Sequence, residues 1–401
     1  MIKKLIPLSL LYLFFHAWPS YQKVSSAKHA RDYATFHYAV KAVEAGKYPY
    51  TTSELSRLAR KEGTRPKVHP FFYPPPALLI FGWSVPLSLG KGYLGFFIIN
   101  QLGVIGLFWL FYRYLKIEVL LLGGIFLGFA PLADCIVMGQ VNIIVLLLIA
   151  SALLKKRGEL LSAAAMIKMS PAILLVPFGI WKKWHFIFTT IAFSIIFSII
   201  SIPIMGISDQ ITFYREILPQ FSSGSYSGLS IPINLPSNHS IPDLWNQLWP
   251  EENQKRLSIF AQRASFFTTI SLLGLLSYFS WRAKGKEKQR FVLGAFISLM
   301  VLTPVYTYEH HLVFMLLPVV LVAQKWHEIG LMGRICMCVS YFFLAWPLGW
   351  LREVQALFPQ LHWWLQESKF ISCLAFAALC IYCSFERAKC SSAFSSGERE
   401  A

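Results

Sequence analysis

The sequence predicts an all-helical integral membrane protein, and three observations lead to this fold class. First, 55% of the 401 residues are hydrophobic and only 14% are charged. Second, apolar runs recur along the whole chain, many of them close to the ~20 residues that a spanning helix needs. Third, aromatic residues make up 16% of the chain, as in proteins whose Trp and Tyr side chains lie at membrane interfaces. A soluble domain is therefore excluded.

Twelve apolar segments are predicted to form a bundle of about 12 transmembrane helices, the shorter ones packing on protein around a cavity. They cover residues 5–20, 92–112, 117–133, 141–154, 159–168, 171–181, 185–206, 258–281, 290–308, 311–324, 330–348 and 369–386. The first segment follows Lys3 and Lys4 and imitates a signal peptide. No clean small-x-small cleavage site follows it, so we expect a retained helix.

The apolar segment 76–89 is placed by the distribution of basic loops, which favour the cytoplasmic side. If 76–89 does not cross the membrane, the short basic loops all fall on one side. If it crosses while 159–181 stays two helices, every later loop changes side; merging 159–181 restores them but leaves Lys155-Lys156-Arg157 outside. We therefore predict an interfacial helix at 76–89, starting at Pro74-Pro75-Pro76, where prolines suit a first helical turn.

This topology predicts a single polytopic domain over residues 1–386, in the cell (inner) membrane, with both termini cytoplasmic. Residues 21–91 form a first extracytoplasmic loop with interfacial helices, and residues 207–257 form a second large one. The small polar tail 387–401 is predicted to be disordered and cytoplasmic. The net charge of +17 is then explained by cytoplasmic loops and by basic loops near anionic head groups, and no nucleic acid is expected as a partner.

Two charged residues lie at unusual positions in the sequence, one in a basic loop and one within an apolar run. Asp32 follows the first helix within a basic loop; it is either a solvated acid paired with Arg31 or a general base. Lys168 interrupts an apolar run directly before Ser170-Pro171. A lysine at membrane depth costs about 3 kcal/mol on insertion scales, so it is either snorkelling to the interface or placed to meet an anion.

Three further polar groups also have two interpretations each. Gln140 and Asn142 begin an apolar helix and suit either a helix cap or contacts with sugar hydroxyls. Asn238, before His239, suits a turn or a binding loop. Glu309-His310-His311 lies between two apolar helices and suits proton transfer, a phosphate or a metal. Cys380 and Cys383 form a C-x-x-C pair, but no second pair stands at zinc spacing, so no metal site is predicted.

Several motifs are absent from the sequence, among them the P-loop, the dinucleotide fingerprint, G-x-S-x-G and H-E-x-x-H. Nucleotide hydrolysis and soluble hydrolase chemistry are therefore excluded. A transporter or a flippase for lipids or lipid-linked sugars, without transferase activity, stays an alternative to an enzyme, as does a membrane scaffold. A transporter would place its charges at the midplane, whereas the predicted topology gathers them on one face.

The order of seven short motifs carries a resemblance that covers roughly residues 30–320. They are Asp32, Ala45-Gly46 with Tyr48-Pro49-Tyr50, Tyr73-Pro74-Pro75, Gly139-Gln140-Val141-Asn142, Lys168-Met169-Ser170-Pro171, Asn238-His239-Ser240-Ile241 and Glu309-His310-His311. This series resembles glycosyltransferase family 87, the DUF2029 proteins, whose members are GT-C fold membrane mannosyltransferases and their relatives. His239 departs from the family pattern, since a glutamine is common there.

The resemblance implies a GT-C-like helical bundle and an inverting hexosyltransferase. The donor would be a polyprenyl-phosphate sugar, typically mannose, and the acceptor an extracytoplasmic glycolipid or glycan. Asp32 would be the catalytic base, and Lys168 with His310 or His311 would bind the donor phosphate. The sugar or acceptor would be bound by Tyr73, Gln140, Asn142, Asn238 and Glu309. Because no second acid stands beside Asp32, we expect transfer without a metal cofactor.

Overall fold

The structure, a computed structural model, describes residues 2–224, 233, 235–251 and 256–385. These residues form helices joined by turns and loops, without a strand among them. The all-helical class is therefore confirmed. The predicted disordered tail 387–401 lies outside the described residues, so its disorder stays a prediction.

The N-terminal part of the chain contains two helices that run on from one another, and then a loop region with short helices. A π-helical turn, Leu13–Ala17, joins the first two helices. The helices are α1 (Ile2–Tyr12), α2 (Trp18–Ser25), α3 (Arg31–Glu44), α4 (Thr52–Lys61), α5 (Ala77–Phe81) and α6 (Leu89–Leu115). α4 packs on α3 through one face that buries Leu55 and Ala59, one helical turn apart.

The apolar segment 76–89 does not form a spanning helix. α5 passes into a 3-10 turn, Gly82–Ser84, so the helical run has eight residues. A run of this length extends about 12 Å at 1.5 Å per residue, far less than the ~30 Å hydrocarbon core of a bilayer. The interfacial position of this segment stays a prediction.

The middle of the chain consists of apolar helices separated by sharp breaks. They are α7 (Val119–Gly128), α8 (Ala130–Met138), α9 (Asn142–Lys155), α10 (Gly158–Ile167), α11 (Leu175–Ile180) and α12 (Trp184–Met205), with a 3-10 helix at Ser170–Leu174. α8 ends at Gly139, whose φ of +70° is the left-handed conformation that favours glycine. A Cβ at this position would lie 2.6 Å from the Cβ of Tyr33, so the break also permits close approach of α3.

The C-terminal part consists of short helices and of longer ones such as Ile259–Arg282 and His362–Phe385. The elements are α13 (Ile207–Thr212), α14 (Leu218–Ser222), α15 (Ile241–Leu248), α16 (Ile259–Arg282), α17 (Lys286–Leu302), α18 (Leu316–Gln324), α19 (Leu331–Ala345), α20 (Leu348–Leu357) and α21 (His362–Phe385). A π-helical turn lies at Phe213–Ile217, and 3-10 helices lie at Glu309–Met315 and Pro359–Leu361.

Four helices within the described residues are long and apolar enough to cross a membrane: α6, α12, α16 and the run Pro359–Phe385. The number rises to six if two bent pairs, α7 with α8 (57°) and α19 with α20 (100°), each count as one span. The predicted count of twelve is not confirmed. Several of the twelve segments, such as Asn142–Lys155 and Gly158–Ile167, are apolar helices of fewer than 18 residues.

The burial pattern separates central helices from peripheral ones. All residues from Phe291 to Leu302 in α17 are buried, and α17 packs against α18 and α21. In contrast, α12 and α16 expose large apolar side chains, with Phe188 65% and Phe267 66% accessible. A helix that is apolar on all sides belongs in the interior, and exposed apolar helices suit a surrounding of lipid. The polar site described next lies among the central elements.

Candidate active site

Polar side chains from several distant segments of the chain meet at the break between α8 and α9. α8 packs against both α3 and the 3-10 helix Glu309–Met315, and α9 packs against the same 3-10 helix. The left-handed Gly139 turns the chain so that Gln140 and Asn142 point to different neighbours. One short turn therefore connects segments that are more than a hundred residues apart.

Asp32 lies in the first turn of α3 and is held by the amide of Gln140. The Gln140 Nε2 atom donates to Asp32 Oδ2 at 2.8 Å, and the Tyr73 hydroxyl donates to Gln140 Oε1 at 3.0 Å. The Tyr50 hydroxyl in turn donates to the Tyr73 carbonyl at 2.8 Å. The carboxylate is half-buried, and Gln140 is 5% exposed. The orientation of Asp32 is thus fixed through a chain of neutral donors.

Lys168 follows α10 in an extended conformation and reaches the same turn from another direction. Its Nζ atom donates to Asn142 Oδ1 at 2.9 Å and lies 5.7 Å from the centroid of the Phe314 ring. Asn142 Nδ2 donates to the His310 carbonyl at 2.8 Å. Asp32 is close enough to interact electrostatically with both Lys168 and His310. The acid, the lysine and the histidine pair therefore share one neighbourhood.

Glu309 lies at the start of the 3-10 helix and is paired through both carboxylate oxygens. Lys369 Nζ lies 2.6 Å from Oε2, and His239 Nε2 lies 2.8 Å from Oε1. Lys369 and His239 are fully buried, and Lys369 also donates to the Trp346 carbonyl at 2.6 Å. This triad connects α21 and the loop before α15 to the segment that carries the two histidines.

The two histidines next to Glu309 have different surroundings. Their ring centroids lie 4.3 Å apart. His311 Nδ1 accepts a hydrogen bond from the Tyr308 backbone N–H at 2.9 Å, which stabilises the first turn of the 3-10 helix. His310 is the one that interacts electrostatically with Asp32. Of the pair, His310 is thus the better placed for chemistry near the acid.

Asn238 uses its side-chain amide to connect two loops. The Nδ2 atom donates to the Ile233 and Val305 carbonyls at 3.1 Å and 3.0 Å, and Oδ1 accepts from the Thr307 N–H at 2.8 Å. The His239 N–H donates to the Thr307 carbonyl at 2.9 Å. These bonds position the loop before α15 against the segment that precedes Glu309, and they leave little free capacity for a sugar.

A small basic cavity of about 200 Å³ adjoins the first turn of α3. Its lining consists of Arg31, Arg65, Lys67, Val68 and His69. A larger hollow of about 650 Å³ lies on the face of the first helices and is lined only by apolar side chains, so it holds no catalytic group. Among the described residues, no group of three His, Cys, Asp or Glu side chains is arranged to bind a metal ion.

The structure thus brings most predicted site residues into connected networks. Asp32, Tyr73 and Gln140 form one, and Asn142, Lys168 and His310 form the next. Glu309 is joined to Lys369, which the sequence predicts only as the first residue of the apolar segment 369–386. A lysine at the start of a membrane segment can snorkel to the interface, so the sequence carries no signal of a buried partner for Lys369. The basic cavity was also missed, since its residues come from two separate stretches.

The fold and the site define a membrane protein in which an acid stands close to a lysine and a histidine, at breaks between helices. The acid can accept a proton from an attacking hydroxyl, and the positive charge can stabilise a leaving group that departs as an anion. This combination suits a group-transfer reaction. The model of glycosyltransferase family 87 matches residues 71–304, which is more than half of the chain. The chain therefore belongs to glycosyltransferase family 87, and the resemblance is confirmed. No curated protein matches the chain.

Proposed function

We propose that this membrane glycosyltransferase transfers a hexose, typically mannose, from a polyprenyl-phosphate donor to a hydroxyl of an extracytoplasmic glycolipid or glycan. Membership of family 87 supports the transferase class. The observation that carries the proposal for the site is the position of Asp32. Its half-buried carboxylate is held at 2.8 Å by Gln140 and lies within electrostatic range of Lys168 and His310.

The proposed reaction is a single displacement at the anomeric carbon. The acceptor hydroxyl gives its proton to Asp32 while its oxygen forms a bond to the anomeric carbon. The bond from that carbon to the phosphate oxygen breaks, and the phosphate leaves with the electron pair. Lys168 and His310 stabilise the negative charge of the leaving phosphate. One displacement inverts the configuration at the anomeric carbon.

The surroundings of the site suit a lipid-linked donor. The polyprenyl chain would lie between helices toward segment 76–89, whose short helix α5 and 3-10 turn pack near α3. The enzyme would work in the cell (inner) membrane with both termini cytoplasmic and the site on the other face. Arg31 and Tyr33 flank Asp32, and neither offers a second carboxylate for a metal ion. We therefore propose a metal-independent reaction, which an excess of EDTA would leave unchanged.

The test is Asp32→Asn in the full chain, purified and reconstituted with radiolabelled polyprenyl-phosphate mannose and membrane glycolipids as acceptors. The asparagine keeps the size of the side chain but is no longer a base, so we expect loss of transfer with an unchanged thermal unfolding profile. Glu44→Gln is the matched control, because Glu44 is an exposed acid at the other end of α3. Turnover by Asp32→Asn at the rate of the control would contradict the assignment of the base.

A further inference from the structure

The basic cavity beside α3 has no part in the proposed displacement. Arg31, which lines it, directly precedes Asp32 in the sequence. Two other lining residues, Arg65 and His69, interact electrostatically with the Asp32 carboxylate. The cavity is therefore next to the proposed base, on a side of it that the displacement leaves unassigned.

The wall of the cavity is fixed by hydrogen bonds to the neighbouring helices. Arg65 Nη2 donates to the Lys28 carbonyl at 3.1 Å, and the Val68 N–H donates to Ser56 Oγ of α4 at 3.1 Å. The Thr35 hydroxyl of α3 donates to the His69 carbonyl at 3.2 Å. The fold thus fixes the Arg65 side chain and the backbone of the segment that carries the other lining residues.

One donor in this wall lacks an acceptor. Arg65 Nη1 is buried and has no hydrogen-bond partner among the described residues. A buried donor without a hydrogen-bond partner is unfavourable, and more so when the group is charged. Burial and the neighbouring Arg31 lower the pKa of Arg65, and burial also lowers the pKa of His69. An anion in the cavity would offset the positive charge that Arg31, Arg65 and Lys67 bring together there.

We propose that this cavity binds the phosphate group of an anionic glycolipid acceptor. The inference rests on the proposed function and specifies its acceptor. In a displacement with inversion, the donor phosphate leaves on the face opposite the base. An anion bound next to Arg31 lies on the side of the base, so it belongs to the molecule whose hydroxyl Asp32 deprotonates.

The size and the donors of the cavity suit this anion. A cavity of about 200 Å³ has room for one phosphate group. Arginine offers paired N–H groups that match phosphate oxygens. The N-terminus of α3 adds positive partial charge, and its N-cap residue Ala30 provides no side-chain cap.

A binding experiment on the purified full chain tests the cavity without any assay of transfer. The probe is inorganic phosphate, compared with chloride at equal ionic strength, and the readout is the thermal unfolding temperature. A ligand that binds only the folded state raises this temperature with concentration. We expect Arg65→Gln with Lys67→Gln to weaken phosphate binding at least tenfold (about one order of magnitude for a lost charge-assisted contact). The control, Arg57→Gln with Lys61→Gln, removes the same charge from α4, outside the cavity.

A second experiment tests whether the phosphate belongs to the acceptor. Glycolipids extracted from membranes are separated by anion exchange into acidic and neutral fractions, and each fraction is offered as the acceptor. We expect the wild type to label the acidic fraction and the double variant Arg65→Gln with Lys67→Gln to raise its KM. Labelling of neutral glycolipids alone would overturn the proposal, as would equal loss of phosphate binding in the α4 control. Phosphatidylglycerol vesicles are added to the wild type as a competitor. If they lower its transfer rate to that of the double variant, the cavity binds ordinary phospholipid head groups, and the proposal is overturned.

The two proposals fail separately. If Asp32→Asn keeps transferring hexose, the assignment of the base is wrong, whereas the phosphate-dependent shift in unfolding temperature still reports on the cavity. If Asp32→Asn stops transfer but the double variant binds phosphate as tightly as the wild type, the base stands and the acceptor site is wrong.

Discussion

Lys369 and Glu309 form an ion pair of 2.6 Å between two helical segments that are 60 residues apart in the chain. Lys369 is fully buried and Glu309 is 7% exposed, so solvent screens this pair very little. Glu309 directly precedes His310, and a shift of its carboxylate would move the histidine relative to Asp32. The pair therefore fixes the position of one side of the site.

Replacing Lys369 by methionine is expected to destabilise the protein strongly. Removal of Lys369 leaves the buried Glu309 carboxylate with His239 as its remaining partner and without its ammonium counter-charge, and breaking a buried ion pair in this way costs about 3–5 kcal/mol. Thermal or denaturant unfolding in detergent measures the effect. The matched control is the double variant Lys369→Met with Glu309→Gln, which removes both charges and should recover most of the lost stability. Equal destabilisation by the single and the double variant would show that packing, and not the charge, is responsible.

Gln140→Leu is expected to lower kcat and to leave the KM for the donor nearly unchanged. The substitution removes the donor that orients Asp32, and a misplacement of about 1 Å at a reacting group costs about 10²-fold in rate. Tyr73→Phe is the comparison, since Gln140 still reaches Asp32 there, and we expect a drop of less than about tenfold. Steady-state kinetics with a fixed acceptor separate the two parameters. A selective rise in KM would instead assign Gln140 to sugar binding.

Lys168→Met tests the proposed contact with the donor phosphate. If Lys168 stabilises the leaving group, its loss should lower kcat by about 10²–10³-fold, as for other groups that stabilise developing charge. Lys183→Met is the control, because it removes an equal charge from an exposed position before α12. Single-turnover measurements with labelled donor report the chemical step. Equal rates in Lys168→Met and the control would leave the lysine with only its hydrogen bond to Asn142.

The stability of the loop region should depend on pH through His37 of α3. This side chain is fully buried, and neither ring nitrogen has a hydrogen-bond partner among the described residues. Burial lowers the pKa of His37 from 6.5 to about 4, with Lys41 adding to the effect and Glu62 opposing it. The folded protein thus keeps the ring neutral, whereas the unfolded chain takes up a proton near pH 6.5. The stability that this difference provides is present above pH 6.5 and is lost as the pH falls toward 4.

The measurement compares the free energy of unfolding at pH 7 and pH 5. We expect His37 alone to account for a decrease of about 2 kcal/mol between these values. His37→Leu cannot titrate and should lose that part of the pH dependence. His29→Leu, at an exposed position, should keep it. A wild type and a His37→Leu variant with the same pH dependence would contradict the burial of a neutral ring.

Segment 76–89 shows how far the sequence reached in describing the fold. Hydropathy alone would make it a span, and the charges of the later loops argued against that; the structure gives it only a short helix and a turn. The long apolar helices also lie close to the predicted positions, with 92–112 matching Leu89–Leu115 and 185–206 matching Trp184–Met205. The predicted count of twelve spans exceeds the four to six that the lengths and compositions of the described helices support, because several predicted segments are short helices between breaks.

The sequence by itself determined the helical membrane class and, through the order of its motifs, the family. Both depend on local information, namely runs of apolar residues and short motifs that are read along the chain. Only the tertiary structure decided which polar groups meet. The Gly139 turn places Gln140 on Asp32 and Asn142 on Lys168, across separations of 108 and 26 residues. The partner of Glu309 is Lys369, and no sequence pattern predicts this pair. The counter-charge of a buried carboxylate comes from the helix that packs beside it, which only the tertiary structure shows.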